Sequence, residues 1–265
     1  MSAASDISMK PIVLKVGGGA LAGGALAGGA LEDLPGILEA GARVVVVHGG
    51  GASLTSMLDA LQIPTKFHEG LRVTDERTLE IAEMVFAGSV NKALVRELQN
   101  LGIPAAGISG TDGPTLHVGP IPGLGRVGSV ERVDPGLIRA MWDGGFVPAV
   151  APLGIGPEGA YNVNADMAAG AVAAELGAGH LFLLTDVDGL LDGGEKVAAI
   201  APDKSEGYVE SGLAAGGMIP KLRSASQAAR AGVEARIVNG NRRGVLREAL
   251  AGENVGTLIS EGAVA

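Results

Sequence analysis

The residues with chemical potential in this chain are two lysines and an aspartate. Lys15 stands inside the apolar run IVLKV, two residues before a glycine loop, and Lys221 opens a helical stretch within GGMIPKL. An ammonium group inside an apolar strand is costly unless an anion meets it, because desolvation penalises the charged form. A bound phosphate would meet that cost. Asp166, in the segment NVNAD, is a candidate carboxylate partner that could hold both lysines between turnovers. The alternative, in which Lys15 snorkels or pairs with a carboxylate for purely structural reasons, stays open at this level.

Three glycine-rich turns directly follow strand-like runs: KVGGG at 15–19, HGGG at 48–51 and TDVDGLLDGG at 185–194. A glycine loop between a strand and a helix lets backbone N–H groups approach an anion, and the helix N-terminus adds positive partial charge. Such loops suit a phosphoryl group held at the carboxyl ends of strands. GGGALA at 17–22 satisfies the loose pattern GxGxxA, yet the second strand ends in VVVVHGGG where a dinucleotide site wants an acidic residue for the ribose. That argues against NAD and FAD. None of the seven lysines follows a glycine, so the P-loop pattern GxxxxGK[ST] is absent.

These residues need a scaffold, and the hydrophobic pattern supplies one. Short β-branched runs occur at 12–16, 43–47, 146–150, 180–184 and 234–238, and continuous apolar runs of this kind suit parallel strands buried on both faces. Helix-period segments lie between them at 31–40, 52–61, 75–100, 135–142, 165–176, 221–231 and 244–250. The alternation predicts an α/β fold, a three-layer αβα sandwich with a mostly parallel open sheet. The stretch 103–133 packs turn residues between short apolar pieces and predicts an antiparallel insertion. The segment 75–100 carries Leu79, Ala82, Phe86, Val90, Leu94 and Leu98 on one stripe, with Ile81, Met84, Val85 and Val95 off it. Apolar surface on two faces fits either a central core helix or one shared with a second subunit.

Composition narrows the function further. The chain has 265 residues, enough for one large domain or two lobes around a cleft, with a boundary expected near 177–179. It has no cysteine, which excludes thiol catalysis, cysteine-ligated zinc and iron–sulfur chemistry. Twenty Lys and Arg against 29 Asp and Glu give a net charge of -9, a poor match to nucleic acid. The first ten residues lack a signal-peptide pattern, and the apolar stretch 16–31 holds seven glycines and is too short to span a bilayer. Cytoplasmic residence, with no membrane partner, is the expectation.

Taken together, KVGG, VVHGGG, GLRVTD, NVNAD, LLTDVDGLL and GGMIPKL resemble the amino acid kinase family, in its order and spacing from Lys15 to about Ile259. The resemblance implies an N-terminal lobe, residues 1–178, for an amino-acid substrate and dimerisation, and a C-terminal lobe, residues 179–265, for ATP. It implies Lys15 and Lys221 as the phosphate-binding lysines that stabilise the transferring phosphoryl group, with Asp166 organising them. Gly17 and Gly18 match the first phosphate loop, and Gly50 and Gly51 the second, which meets the reacting carboxylate. Arg72 matches the arginine for the substrate α-carboxylate, and Asn162 the asparagine at the acetamido and α-carboxylate end. Asp186, Val187, Asp188, Gly189, Leu190 and Leu191 match the adenosine-side loop, and Leu213, Ala214 and Ala215 a second nucleotide contact. Departures from the family pattern fall at AAGGM, 214–218, and in the ALAGG repeats of 20–29.

The implied activity is transfer of the ATP γ-phosphoryl to the side-chain carboxylate of N-acetyl-L-glutamate, a step of arginine biosynthesis. A carboxylate with a pKa near ~4.3 is already ionised at neutral pH, so no general base is required. The need is for positioning and positive charge, supplied by lysines, backbone amides and Mg2+ carried on the phosphates of ATP rather than by a protein metal site. This fits a chain whose four histidines form no catalytic constellation; His48, His68, His117 and His180 are expected to be structural. Arg72 suits a carboxylate clamp, its alternative being an ion pair with Glu69 or Asp75. Two other functions stay open: a kinase for aminoadipate or glutamate carried on a small acidic protein, and a non-catalytic amino-acid sensor. The short segment before Lys15 points to a homodimer insensitive to arginine, while a PII-type signalling partner leaves no mark in the sequence.

Overall fold

The computed structural model describes residues 10–17, 29–68 and 70–263. Its strands are β1 (Ile12–Val16), β2 (Val44–His48), β3 (Lys66–His68), β4 (Leu71–Val73), β5 (Ala105–Ser109), β6 (Leu116–Pro120), β7 (Val127–Val133), β8 (Val147–Ala151), β9 (Leu153–Gly156), β10 (Gly159–Val163), β11 (His180–Thr185), β12 (Leu191–Asp192), β13 (Glu195–Lys196), β14 (Ala199–Ile200), β15 (Glu234–Asn239) and β16 (Thr257–Ile259). Its α-helices are α1 (Leu34–Glu39), α2 (Gly51–Ala60), α3 (Glu76–Glu83), α4 (Asn91–Asn100), α5 (Gly136–Asp143), α6 (Ala165–Glu175), α7 (Ser205–Glu210), α8 (Met218–Arg230) and α9 (Val245–Leu250).

The main sheet has eight strands in the order β14-β16-β15-β11-β1-β2-β8-β5. From β15 to β5 neighbouring strands run parallel, while β16 pairs antiparallel with β15 and turns the far edge around. All five residues of β1, β2 and β8 are buried. That is why these strands read as unbroken apolar runs rather than alternating ones. One face carries a core built from β1, β2, β11 and β15 against α6 and α8, and the other a core formed with α1, α4 and α9. A third core joins α2, α3 and Phe86 under the end of β8. Residues 177–179 form the turn between α6 and β11, and β11 pairs directly with β1 in the main sheet.

Two expectations need correction. The stretch 103–133 is not wholly an antiparallel insertion, since β5 is the edge strand of the main sheet, parallel to β8. The antiparallel part is the β6–β7 hairpin, and it closes with β9 and β10 into a small four-stranded barrel. The barrel closes by pairing residues well separated in the sequence, Val127 with Asn162 and His117 with Ile155, so a local window shows half of it. The helix at 75–100 is also not one α-helix: residues Met84–Val90 form a π-helix between α3 and α4. Wider π turns rotate the following face, and here they bury both Val85 and Phe86 while leaving Met84 60% exposed. The ALAGG repeats fall almost entirely outside the described residues.

Candidate active site

Lys15 is the fourth residue of β1, between Leu183 of β11 and Val47 of β2 in register. Its Nζ lies 3.0 Å from Asp166 Oδ1, and both side chains are nearly buried. Lys221 comes in from α8, its Nζ 3.3 Å from each Asp166 oxygen. Two ammonium groups thus share one carboxylate, and burial together with the charge of Lys15 lowers the Lys221 pKa. The arrangement has positive charge to spare for an arriving anion.

Local chemistry fixes this trio. Asn164 caps α6, its Oδ1 accepting the N–H groups of Asp166 (2.9 Å) and Met167 (3.1 Å), which places Asp166 in the first turn. Helices α6 and α8 approach closely because the seam is small: a Cβ on Gly170 would fall 2.4 Å from Ser224 Oγ. Ser224 in turn donates its hydroxyl to the carbonyl of Asp166. The helix bearing Lys221 is thereby tied to the helix bearing Asp166. Gly17 sits at the same place, since a Cβ there would lie 4.0 Å from Lys15 Nζ. Gly18 lies outside the described residues.

A cavity of about 210 Å³ opens beside the trio, with Lys15, Asp166, Gly50, Gly51, Arg72 and Asn162 in its walls. Gly50 is required there for packing, because a Cβ would stand 2.7 Å from the Phe86 ring. Beneath the loop, His48 is fully buried; burial pulls its pKa from 6.5 to about 4, so it is neutral. Its Nδ1 donates to the Gly49 carbonyl (2.8 Å) and its Nε2 accepts from Asn91 Nδ2 (3.0 Å). The imidazole holds the loop and does not face the cavity, as the structural expectation for it required.

Arg72 does not pair with Asp75, whose carboxylate instead caps α3 through the N–H of Thr78. Its Nη2 donates to Thr55 Oγ1 (2.7 Å) and the Gly51 carbonyl (3.3 Å), and the guanidinium stacks 4.7 Å from the Phe67 ring centroid. Burial lowers its pKa, opposed by the charge of Asp59. Nη1 is buried with no hydrogen-bond partner among the described residues, outside which Glu69, the other partner expected for Arg72, lies. A buried donor without a partner is costly, and in a cavity it marks the place where a ligand oxygen belongs.

Comparison with known proteins decides the class. Residues 10–239 match the model of the amino acid kinase family. The chain belongs to the amino acid kinase family. It is 66% identical to the acetylglutamate kinase of Rubrobacter xylanophilus over 97% of this chain and 100% of that one. It is 41% identical to the chloroplastic acetylglutamate kinase of Arabidopsis thaliana over 95% of this chain and 75% of that one. Its fold is that of the carbamate kinase from Giardia lamblia solved with AMP-PNP, at a TM-score of 0.69 and 19% identity, covering 96% of this chain and 99% of that chain.

As an amino acid kinase, the chain has its remaining expected contacts on the β11 side of the trio. Asp186, Val187, Asp188 and Gly189 form the bend after β11, and Leu190 is anchored by an N–H bond to Thr257 Oγ1 (2.8 Å). Asp188 accepts from Asn239 Nδ2 (2.9 Å). Val187, Leu191 and Leu213 are exposed apolar side chains, whereas Ala214 is buried and bonded through its N–H to the Tyr208 carbonyl. None of residues 186–191 or 213–215 lines the cavity beside the trio. Sequence reasoning missed Thr55, Thr74, Phe86, Asn91 and Asn164. Only Thr74 and Asn164 stood within quoted motifs, GLRVTD and NVNAD; the others are ordinary residue types brought to the site by packing. Among the described residues, no helix is long and apolar enough to cross a membrane.

Proposed function

We infer that this chain is an acetylglutamate kinase of arginine biosynthesis, transferring the γ-phosphoryl of ATP to the side-chain carboxylate of N-acetyl-L-glutamate. The observation that carries the reading is the pairing, on one cavity, of an unpartnered Arg72 donor with the Lys15–Asp166–Lys221 cluster. Arg72 and Asn162 hold the α-carboxylate and acetamido end, which directs the side-chain carboxylate toward Gly50, Gly51 and the lysines. A carboxylate oxygen attacks the γ-phosphorus, the bond to the β-phosphate bridging oxygen breaks, and its electrons leave with ADP. No proton moves, so no base is needed. Lys15 and Lys221 neutralise the charge that spreads over the equatorial oxygens, and Asp166 keeps them apart and oriented.

ATP approaches over Gly17 and Gly18, with its adenosine against residues 186–191 and 213–215. Mg2+ would ride on the phosphates, because Asp166 is engaged by two lysines and is a poor ligand for a further cation. Residues 1–178 form the amino-acid lobe and 179–265 the nucleotide lobe. The chain works in the cytoplasm as a homodimer; Met57 of α2, Leu61 directly after it and Met84 of the π-helix are exposed apolar side chains and suit a subunit contact. Light scattering should give the mass of two chains.

Hydroxylamine trapping tests the reading. Enzyme with Mg-ATP is incubated in parallel with N-acetylglutamate, glutamate, aspartate and N-acetyl-aminoadipate, and hydroxamate colour is expected with N-acetylglutamate alone. Colour with none of them would favour a carrier-linked substrate instead.

A further inference from the structure

Two threonine hydroxyls beside the cavity have their single protons already committed. Thr74, wholly buried, donates through Oγ1 to the Arg72 carbonyl at 2.8 Å. A carbonyl only accepts and a hydroxyl has one proton, so Thr74 Oγ1 has only lone pairs left. The Asn162 atom 3.1 Å from it must therefore be the donor Nδ2. This fixes the direction of the Asn162 amide and leaves its acceptor, Oδ1, without a protein partner among the described residues. Thr55 repeats the device on the other side. Its Oγ1 donates to the Gly51 carbonyl at 2.9 Å and so can only accept from Arg72 Nη2 at 2.7 Å, which leaves Nη1 as the unpartnered donor.

We propose that Thr74 is a specificity-determining residue that sets the polarity of the substrate site, holding Asn162 with its oxygen toward the ligand so that the site selects a substrate bearing an amide N–H, while Thr55 turns Arg72 to offer a donor to the α-carboxylate. Neither threonine touches the reacting atoms; both are positioning residues. The inference rests on the acetylglutamate kinase reading, since it assigns the N–H to the acetamido group. It adds a chemical reason for rejecting isosteres: an ester oxygen at that position would face the Asn162 oxygen, lone pair against lone pair. A site built to accept a hydrogen bond rejects an analogue that cannot donate one, because the bound analogue shields the acceptor from water and leaves it unpaired.

The test compares N-acetyl-L-glutamate with (S)-2-acetoxyglutarate, in which oxygen replaces the amide N–H, as the ratio of kcat/KM values within each enzyme preparation. A ratio within one preparation is independent of how much of the protein is folded. The original enzyme should prefer the amide on the order of a hundredfold. In Thr74→Val, Asn162 is free to turn its Nδ2 toward the ester, and the ratio should fall about tenfold; Thr74→Ser should retain it. Where turnover is too slow, the ratio of calorimetric dissociation constants for the two ligands replaces it. An unchanged ratio in Thr74→Val, or equal loss of both ligands by folded protein, would assign Thr74 to support of the fold and overturn the inference. Failure of the original enzyme to turn over N-acetylglutamate would instead overturn the function on which the inference rests.

Discussion

Lys221 and Arg72 are both cations on one ligand path, yet they should fail differently when removed. Lys221 meets charge that develops during transfer, so Lys221→Ala should lower kcat by about 10²–10³-fold while moving the KM for N-acetylglutamate less than about threefold. Arg72 binds a carboxylate that does not change during the reaction. Arg72→Ala should raise that KM about 10–100-fold with a far smaller effect on kcat. Steady-state kinetics on the two variants separates these roles, and near-normal kcat in Lys221→Ala would remove it from the phosphoryl site. The lysines and Asp166 were legible in the sequence because an ammonium in an apolar strand demands an anion. Thr55 and Thr74 were not, because a threonine in a helix or beside a strand is unremarkable until its proton can be traced to a particular carbonyl.

At the level of elements, the loop after β2 and the π-helix act on each other. Phe86 rests on Gly50 where a Cβ would be 2.7 Å from the ring, and the π turns are what bring that ring inward together with Val85. Gly50→Ala should therefore cost about 1–3 kcal/mol in stability through overpacking and raise the KM for N-acetylglutamate. Adding Phe86→Leu should recover part of both losses, which a double-mutant cycle by urea unfolding and kinetics would read as coupling. The apolar stripe at Leu79, Ala82, Phe86, Val90, Leu94 and Leu98 announced a helix. It could not announce the π-helix, because every one of these side chains is buried in the folded chain and the pattern looks the same from the sequence.

Across the whole molecule, the buried histidine couples the fold to acidity. His48 is neutral in the folded chain, with a pKa of about 4 against 6.5 when unfolded, and its partners reach from β2 through Asn91 of α4 to the Ala149 carbonyl of β8. Between those two values the unfolded chain binds the extra proton, so stability falls as the pH drops from 6.5 to 4, by roughly 3 kcal/mol for this group. His180, whose pKa burial also lowers, adds a loss of the same sign. Urea unfolding as a function of pH should show the slope, and His48→Gln should flatten its larger part. The sequence by itself determined the α/β class, the glycine turns at strand ends and the lysine–aspartate chemistry, because desolvation and hydrophobic periodicity are local demands that residue types must answer in place. Only the tertiary structure decided that β1 lies between β2 and β11, that a hairpin and two later strands close a barrel, and that Thr55, Thr74, Arg72 and Asn162 meet. Those relations join residues far apart in the chain, Thr74 with Asn162 and Ile12 with His180 among them. Strand order and hydrogen-bond direction arise from three-dimensional packing and have no counterpart in spacing along the chain.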